Sequence, residues 1–488
     1  MTASFVLRRA RYSLGVCAAA LMALPAQANY QPLPEAEGPS PQIPAQFDAD
    51  GAPLIYQDAL HHRDYSAVQH ALASVGRIMR DSEMGHEGYD AELAGDPMRR
   101  QGEAWLEVMQ AASGMLMTEG VGSMRLDGES WTAGDPFDIG DLAHASFSYH
   151  MHHSGGRWSE LGLEEALTFD GTGYLATMTR RLVEEHYGAR SFADIDGTRD
   201  AASLAHGLDA MHALAYSFVR WDKPGGAGDM GQLDQAHMEA VHDVTVERLV
   251  ELAENLAGTL DDAWDDAIGA YDLGDGGVYP LETLGSLLRG HKALYEILVV
   301  FGEDAHADAA ELLFERMAAM TEALATSDDA VRDWGIAEVV VYTGEAVEAA
   351  SERVDTETQW RFLNHLTGGF SMLRERDGTS AFLDTRPELR DAVGTLSDRL
   401  LQAALDHQTD TDGLMLRRLS MADGEVIDER HQVRAMGWFL TAAGNSYRAG
   451  ADFERPGDWG DDSGLAERST ALYDVILANN ARLLDLID

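Results

Sequence analysis

Apolar residues recur at three- and four-residue steps along most of the chain, a period that predicts amphipathic helices. The pattern runs through Ala59–Arg80, Gln101–Thr118, Gly173–His186, Ala201–Trp221, Leu233–Ala257 and Leu281–Phe301. It continues through Ala305–Ala325, Ala330–Ala350, Glu357–Arg374, Leu389–His407, His431–Ser446 and Leu465–Leu486. Several breaks carry Asp-Gly turn signals, among them Asp127-Gly128, Asp377-Gly378 and Asp423-Gly424. Leu414–Ser420 and Glu425–Asp428 flank one such turn and read as a β-hairpin between helices, and Val121–Trp131 reads as another. Helix pairs follow one another without the residue-level repeat of a tetratricopeptide or ankyrin array. The expected fold is all-α. Its helical hairpins would close into an (α/α) toroid with short β-hairpin insertions rimming the mouth, two helical bundles being the alternative.

The first residues break this pattern. Arg8, Arg9 and Arg11 precede an apolar run from Leu14 to Leu24, and Ala26-Gln27-Ala28 follows as a small-x-small site. This is the layout of a secretory signal peptide over residues 1–28. Cleavage after Ala28 would leave a periplasmic or secreted protein. Residues 29–53 hold six of the thirteen prolines and no periodicity, so they read as an extended arm. Residues 54–488 then form a single helical domain. Past the leader no apolar run reaches the ~20 residues that span a bilayer.

Charge and cysteine narrow the chemistry. Three of the 36 basic residues lie in the leader, so the mature chain sets 83 acids against 33 bases. Lys223 and Lys292 are the lysines; arginine supplies the rest. Such acidity, spread along the whole chain, fits a protein adapted to a saline medium, where salt screens self-repulsion. It argues against nucleic acid as a partner, since no basic stripe is present. The single cysteine, Cys17, lies in the leader, which leaves the mature chain without disulfides or thiolate metal ligands.

Three constellations could carry chemistry. Tyr149, His150 and His152, with Arg157 and Trp158 just beyond, form the densest cluster. A histidine there titrates near neutral pH and could act as a base, although a polar helix end before a Gly turn would look the same. No zinc-type spacing accompanies it, so no metal is expected. Asp209, His212, Tyr216 and Arg220 follow His206 on one helix face, with Trp221 next. An acid, an imidazole, a phenol and a guanidinium suit proton abstraction beside a sugar carboxylate; a polar seam between packed helices is the plainer reading. Arg434, Trp438 and Asn445 lie on one stripe of a third helix. The indole could stack on a pyranose while the polar groups read hydroxyls, or the stripe could be an ordinary solvated face. The cofactor stays open, and phosphate-binding loops and nucleophile elbows are missing.

Two resemblances bear on function. Gly277-Val278-Tyr279-Pro280-Leu281-Glu282-Thr283-Leu284, running on to Ala293-Leu294-Tyr295-Glu296, resembles helix openings in (α/α) toroid carbohydrate-active proteins. The resemblance implies sugar chemistry in a central cleft, as a polysaccharide lyase or glycoside hydrolase acting on an oligo- or polysaccharide. It transfers no catalytic residue. Gly290-His291 through Glu296, before Gly302-Glu303-Asp304, resembles the motif of imelysin-like periplasmic proteins. Here His291 and Glu296 are five apart and do not share a helix face. A non-catalytic helical binding or scaffold protein of the cell envelope is the competing expectation.

Overall fold

The computed structural model describes residues 38–48, 53–54, 59–83, 91–146, 171–221, 235–302, 304–370, 387–450 and 465–487. Residues 1–37 and 49–52 lie outside this set, as does the Tyr149–Trp158 cluster. Thirteen α-helices are present among the described residues. They are α1 His62–Glu83, α2 Asp96–Gly114, α3 Ile139–Ala145, α4 Gly171–Arg180, α5 Ala201–Trp221, α6 Gln235–His242 and α7 Val246–Ala263. The second half contains α8 Leu281–Phe301, α9 Ala307–Ala325, α10 Thr356–Phe370, α11 Pro387–Ala403, α12 Val433–Gly450 and α13 Leu465–Ile487.

Six of these helices close a ring. Helix α1 packs on α3, α3 on α5, α5 on α8, α8 on α10, α10 on α12, and α12 back on α1. The other seven lie outside: α2 against α1, α4 against α6, α6 against α5, α7 and α9 against α8, α11 against α10, and α13 against α12. The protein is an (α/α) toroid, as the spacing predicts. Glycines let the inner helices approach. A Cβ on Gly437 of α12 would lie 2.7 Å from the backbone of Ala67 on α1, and one on Gly290 of α8 would lie 2.3 Å from Leu208 Cβ on α5. The sequence therefore sets the width of the ring at these contacts.

The same end of the ring carries the starts of at least three inner helices. Arg434, at the start of α12, pairs with Asp64 at the start of α1 and with Glu357 at the start of α10. Short strands run directly into inner helices there: Ala59–His61 into α1, Val278–Pro280 into α8, Arg353–Asp355 into α10 and His431–Gln432 into α12. Both expected hairpins form, Ser123–Asp127 with Ser130–Ala133 and Arg418–Ser420 with Val426–Asp428. Part of the N-terminal arm is not free. Gln46–Phe47 pairs with His431–Gln432, which ties the beginning of the chain to the start of the last inner helix.

Two expectations need correction. The segment Ala330–Ala350 is strand, not helix: Val331–Arg332, Gly335–Ile336, Val339–Tyr342 and Val347–Ala349 form it. The β-branched run Val339–Val341 and positive φ at Gly335 and Gly344 (141° and 82°) outweigh its alanines. The Leu233–Ala257 pattern also breaks in two, where Asp243 takes a φ of 53° and Thr245 caps α7 by accepting from Arg248 N.

Candidate functional site

An inner helix that is apolar on every side except for a few charged residues must bury those charges in the centre of the ring. Helix α8 buries Ser286, Arg289, His291, Lys292 and Glu296; of these Ser286, Arg289 and Lys292 meet side chains of α5, whereas His291 meets Tyr271. Its partners come from α5 and α10, which flank it in the ring, and from α3. Asp209 of α5, fully buried, accepts from Arg289 Nη1 at 2.6 Å, Arg361 Nη2 at 2.9 Å and Ser286 Oγ at 2.9 Å. His365 Nε2 lies 3.4 Å from the same carboxylate. Arg361 then reaches outward, its Nη1 donating to Glu282 Oε1 at 2.5 Å. His144 Nε2 lies 3.3 Å from that oxygen. Deeper along the axis His212 Nδ1 meets Arg289 Nη2 at 3.0 Å, and His212 Nε2 meets Lys292 Nζ at 2.9 Å.

Exposure changes along this network. Asp209, Arg289, Arg361, His144 and His365 are buried, whereas Glu282 keeps 31% of its side chain exposed and Arg63 keeps 28%. His206, on the face of α5 beside Ser286 (3.5 Å), is only half-buried. Glu282 stands at the start of α8, at the end of the ring where Arg63 and Asp64 begin α1. The network therefore opens at the hairpin-rimmed end.

Electrostatics separates the groups. Burial opposes charge on Glu282, but Arg361 and the His144 hydrogen bond outweigh it and hold the carboxyl well below the usual range. Burial, reinforced by Arg361, holds His144 well below 6.5, so it is a neutral imidazole at neutral pH. His206 and His365 are lowered chiefly by burial too. A neutral His144 that donates Nε2–H to an anionic Glu282 carries its lone pair on Nδ1. Glu357 goes the other way: burial pushes it up, against the pull of Arg434.

The three expected constellations fare differently. Tyr149, His150, His152, Arg157 and Trp158 lie outside the described residues. Asp209 and His212 do share a face of α5 and are joined through Arg289. Tyr216, Arg220 and Trp221 continue the same helix, with side chains outside the described set. The α12 stripe needs correcting. It faces the axis rather than solvent, and Trp438 is fully buried, stacked on His70 with ring centroids 5.2 Å apart. An indole so placed is no open platform for a sugar ring. Arg434 is held by Asp64 at 2.8 Å and Glu357 at 3.1 Å, and Asn445 by Asn364 at 3.4 Å. These residues build the wall of the axis.

Reasoning from spacing missed Arg289, Arg361, Glu282, His144 and His365. The signal was available for α8, because charge inside an otherwise apolar helix marks a buried polar cluster. His291, central to the imelysin resemblance, is occupied by Leu287 O at 2.7 Å and Tyr271 Oη at 2.6 Å. Among the described residues no group of three potential ligands is placed to hold a metal, so that motif gains no metal site here. None of the described helices is long and apolar enough to cross a membrane.

The fold and the site define an (α/α) toroid with a charged, histidine-rich axis. No family model matches the chain, and no curated protein matches it. Solved structures similar to it include cellobiose 2-epimerase from Bacillus thermoamylovorans, at 11% identity over 84% of this chain and 94% of that one, with a TM-score of 0.46. D-mannose isomerase is similar at 14% identity over 83% and 91%, with a TM-score of 0.47. Unsaturated glucuronyl hydrolase from a Bacillus species is similar at 13% identity over 73% and 76%, with a TM-score of 0.39.

Proposed function

We propose that the protein is a carbohydrate-processing enzyme that moves a proton at a sugar carbon, at the rimmed end of its toroid. The observation that carries this reading is the Glu282–His144 pair beside Arg361: an anionic, partly exposed carboxylate hydrogen-bonded to a neutral imidazole. His206 supplies a second neutral imidazole from the neighbouring helix. Two proton-handling groups around one opening suit removal of a proton from a carbon next to a carbonyl or carboxylate and its return elsewhere. Arg63, partly exposed at the same end, would stabilise the negative charge that develops on the substrate oxygen. Lyase action on a uronate and isomerisation of an aldose share this step.

Glycoside hydrolysis is the second reading. Its ground is that two carboxyls, Glu282 and Glu357, begin inner helices and sit in opposed environments, Arg361 holding Glu282 low while burial pushes Glu357 up against the pull of Arg434. We further propose export, on the strength of the leader sequence at residues 1–28.

The test is a panel of neutral and uronic-acid sugars incubated with the mature protein in deuterated, high-salt buffer. Deuterium entering a carbon position, or ultraviolet absorbance from unsaturated ends, supports proton transfer. Reducing-sugar release without carbon-bound deuterium supports hydrolysis instead. Silence in all three across the panel overturns both enzymatic readings and leaves a non-catalytic binding role.

A further inference from the structure

Arg417 immediately precedes the rim hairpin of Arg418–Ser420 with Val426–Asp428, and the proton-transfer scheme above does not use it. Its carbonyl accepts from Thr356 N at 3.1 Å and from Thr356 Oγ1 at 3.0 Å, which fixes it at the start of α10. The arginines around this end are engaged. Arg63 donates to Asp138 and Asp141, Arg361 to Glu282 and Asp209, Arg418 to Asp355, Arg430 to Asp428 and Arg434 to Glu357. Among the described residues Arg417 donates to no carboxylate. Its Nε lies 3.8 Å from Asp428 Oδ2, too far for a hydrogen bond, and is buried without a partner.

The charged groups that face Arg417 are Arg418, Asp355, Glu357 and Asp428. Each of these three acids bonds a different arginine more closely. Burial, then the charge of Arg418, hold the guanidinium below the usual arginine value. A cation that has lost part of its water without gaining a hydrogen bond gains from any anion that reaches it. An approach exists, because the side chain keeps 16% exposure. Glu357 lies within electrostatic range of both Arg417 and Glu282, so this guanidinium shares the opening with the Glu282–His144 pair.

From this placement we propose that Arg417 receives the carboxylate of a uronic-acid sugar and makes the protein selective for uronates over neutral sugars. Its planar fork matches a carboxylate through two parallel hydrogen bonds. Asp355, Glu357 and Asp428 alongside would repel the second charge of a phosphate ester. The proposal rests on the carbohydrate reading above and selects the uronate among the sugars which that reading allows. Arg417 binds and moves no proton.

The test reads binding without turnover, by isothermal titration of the mature protein at low salt. Glucuronate, galacturonate and mannuronate, as mono- and disaccharides, are each compared with the neutral counterpart and with glucose 6-phosphate. At least one uronate should bind roughly tenfold or more tighter than its neutral counterpart and than the phosphate. Arg417→Gln should remove that preference. Neutral sugars bound as tightly as uronates, no measurable uronate binding, a phosphate bound as tightly, or a preference that survives Arg417→Gln each overturns the proposal. If circular dichroism shows the Gln variant unfolded, Arg417→Lys keeps the charge without the fork; the preference should then shrink, and an unchanged one overturns the role given to the fork. Uronate binding through Arg417 without carbon-bound deuterium upholds this proposal and removes proton transfer alone. Deuterium entering neutral sugars with no part for Arg417 does the reverse.

Discussion

Asp209 is the residue on which the axis converges, and Asp209→Asn isolates its charge from its volume. The substitution leaves side-chain size unchanged but places a neutral amide where Arg289 Nη1 and Arg361 Nη2 donate at 2.6 and 2.9 Å. Both guanidiniums are 1% exposed, so water cannot compensate either of them. Breaking a buried ion pair by neutralising one partner costs about 3–5 kcal/mol. That is a large share of the roughly 5–15 kcal/mol by which folded domains are stable. At roughly 2 °C per kcal/mol for a long chain, the thermal midpoint should fall by about 5–10 °C. The assay is circular dichroism melting of wild type and variant side by side, at low salt and at ~1 M sodium chloride. Buried charges are screened little by salt, so the gap between the two proteins should persist at both concentrations. A variant that melts within about 1 °C of wild type, or a gap that closes in high salt, would refute the buried network.

Four further outcomes are expected. Glu282→Gln should lower turnover by about 100-fold or more while the fold is kept, read as rate on whichever sugar the panel identifies; an unchanged rate removes Glu282 from the chemistry. Burial holds His62 at about 3 and His291 at about 4, so below 6.5 the unfolded chain takes up protons that the folded one refuses. The stability is therefore whole above pH 6.5 and declines as pH falls toward 4, by at most ~1.4 kcal/mol per unit for each histidine, and a melting midpoint flat over that window contradicts it. Gly437→Ala forces a Cβ to within 2.7 Å of the Ala67 backbone and should cost about 1–3 kcal/mol in a denaturant melt; a neutral result would show that α1 and α12 can slide apart. Midpoint temperature should also climb by several degrees between low salt and ~1 M salt as the acidic surface is screened, and indifference to salt would end the saline-adaptation reading.

Helix positions were legible because each helix buries one stripe against a neighbour, and the three-and-four spacing of apolar residues records that stripe. Ala201–Trp221 and Leu281–Phe301 were read with the bounds that α5 and α8 have. The strands of 331–349 were not, since alanines mimic helix spacing while the deciding features are backbone angles at Gly335 and Gly344. The site was half legible. Asp209 and His212 show their shared face on one helix, whereas the union of Asp209 with Arg289 and Arg361, and of Glu282 with His144, depends on ring closure across 80, 152 and 138 residues. The polar stripe of α12 was seen but its direction was not, because spacing distinguishes two faces without saying which meets water.

The seam of the ring has a bearing on how the protein assembles. Helix α1 closes against α12, Gln46–Phe47 pairs with His431–Gln432, and Gln101 exchanges amide hydrogen bonds with Asn480, 379 positions away. One side of α1 therefore has no partner until the last inner helix has been made, and such distant pairings form slowly. Every emerging length of this chain short of α12 is an open arc with a polar inner face exposed to water. Assembly has a built-in wait, and its final step is the joining of the two ends.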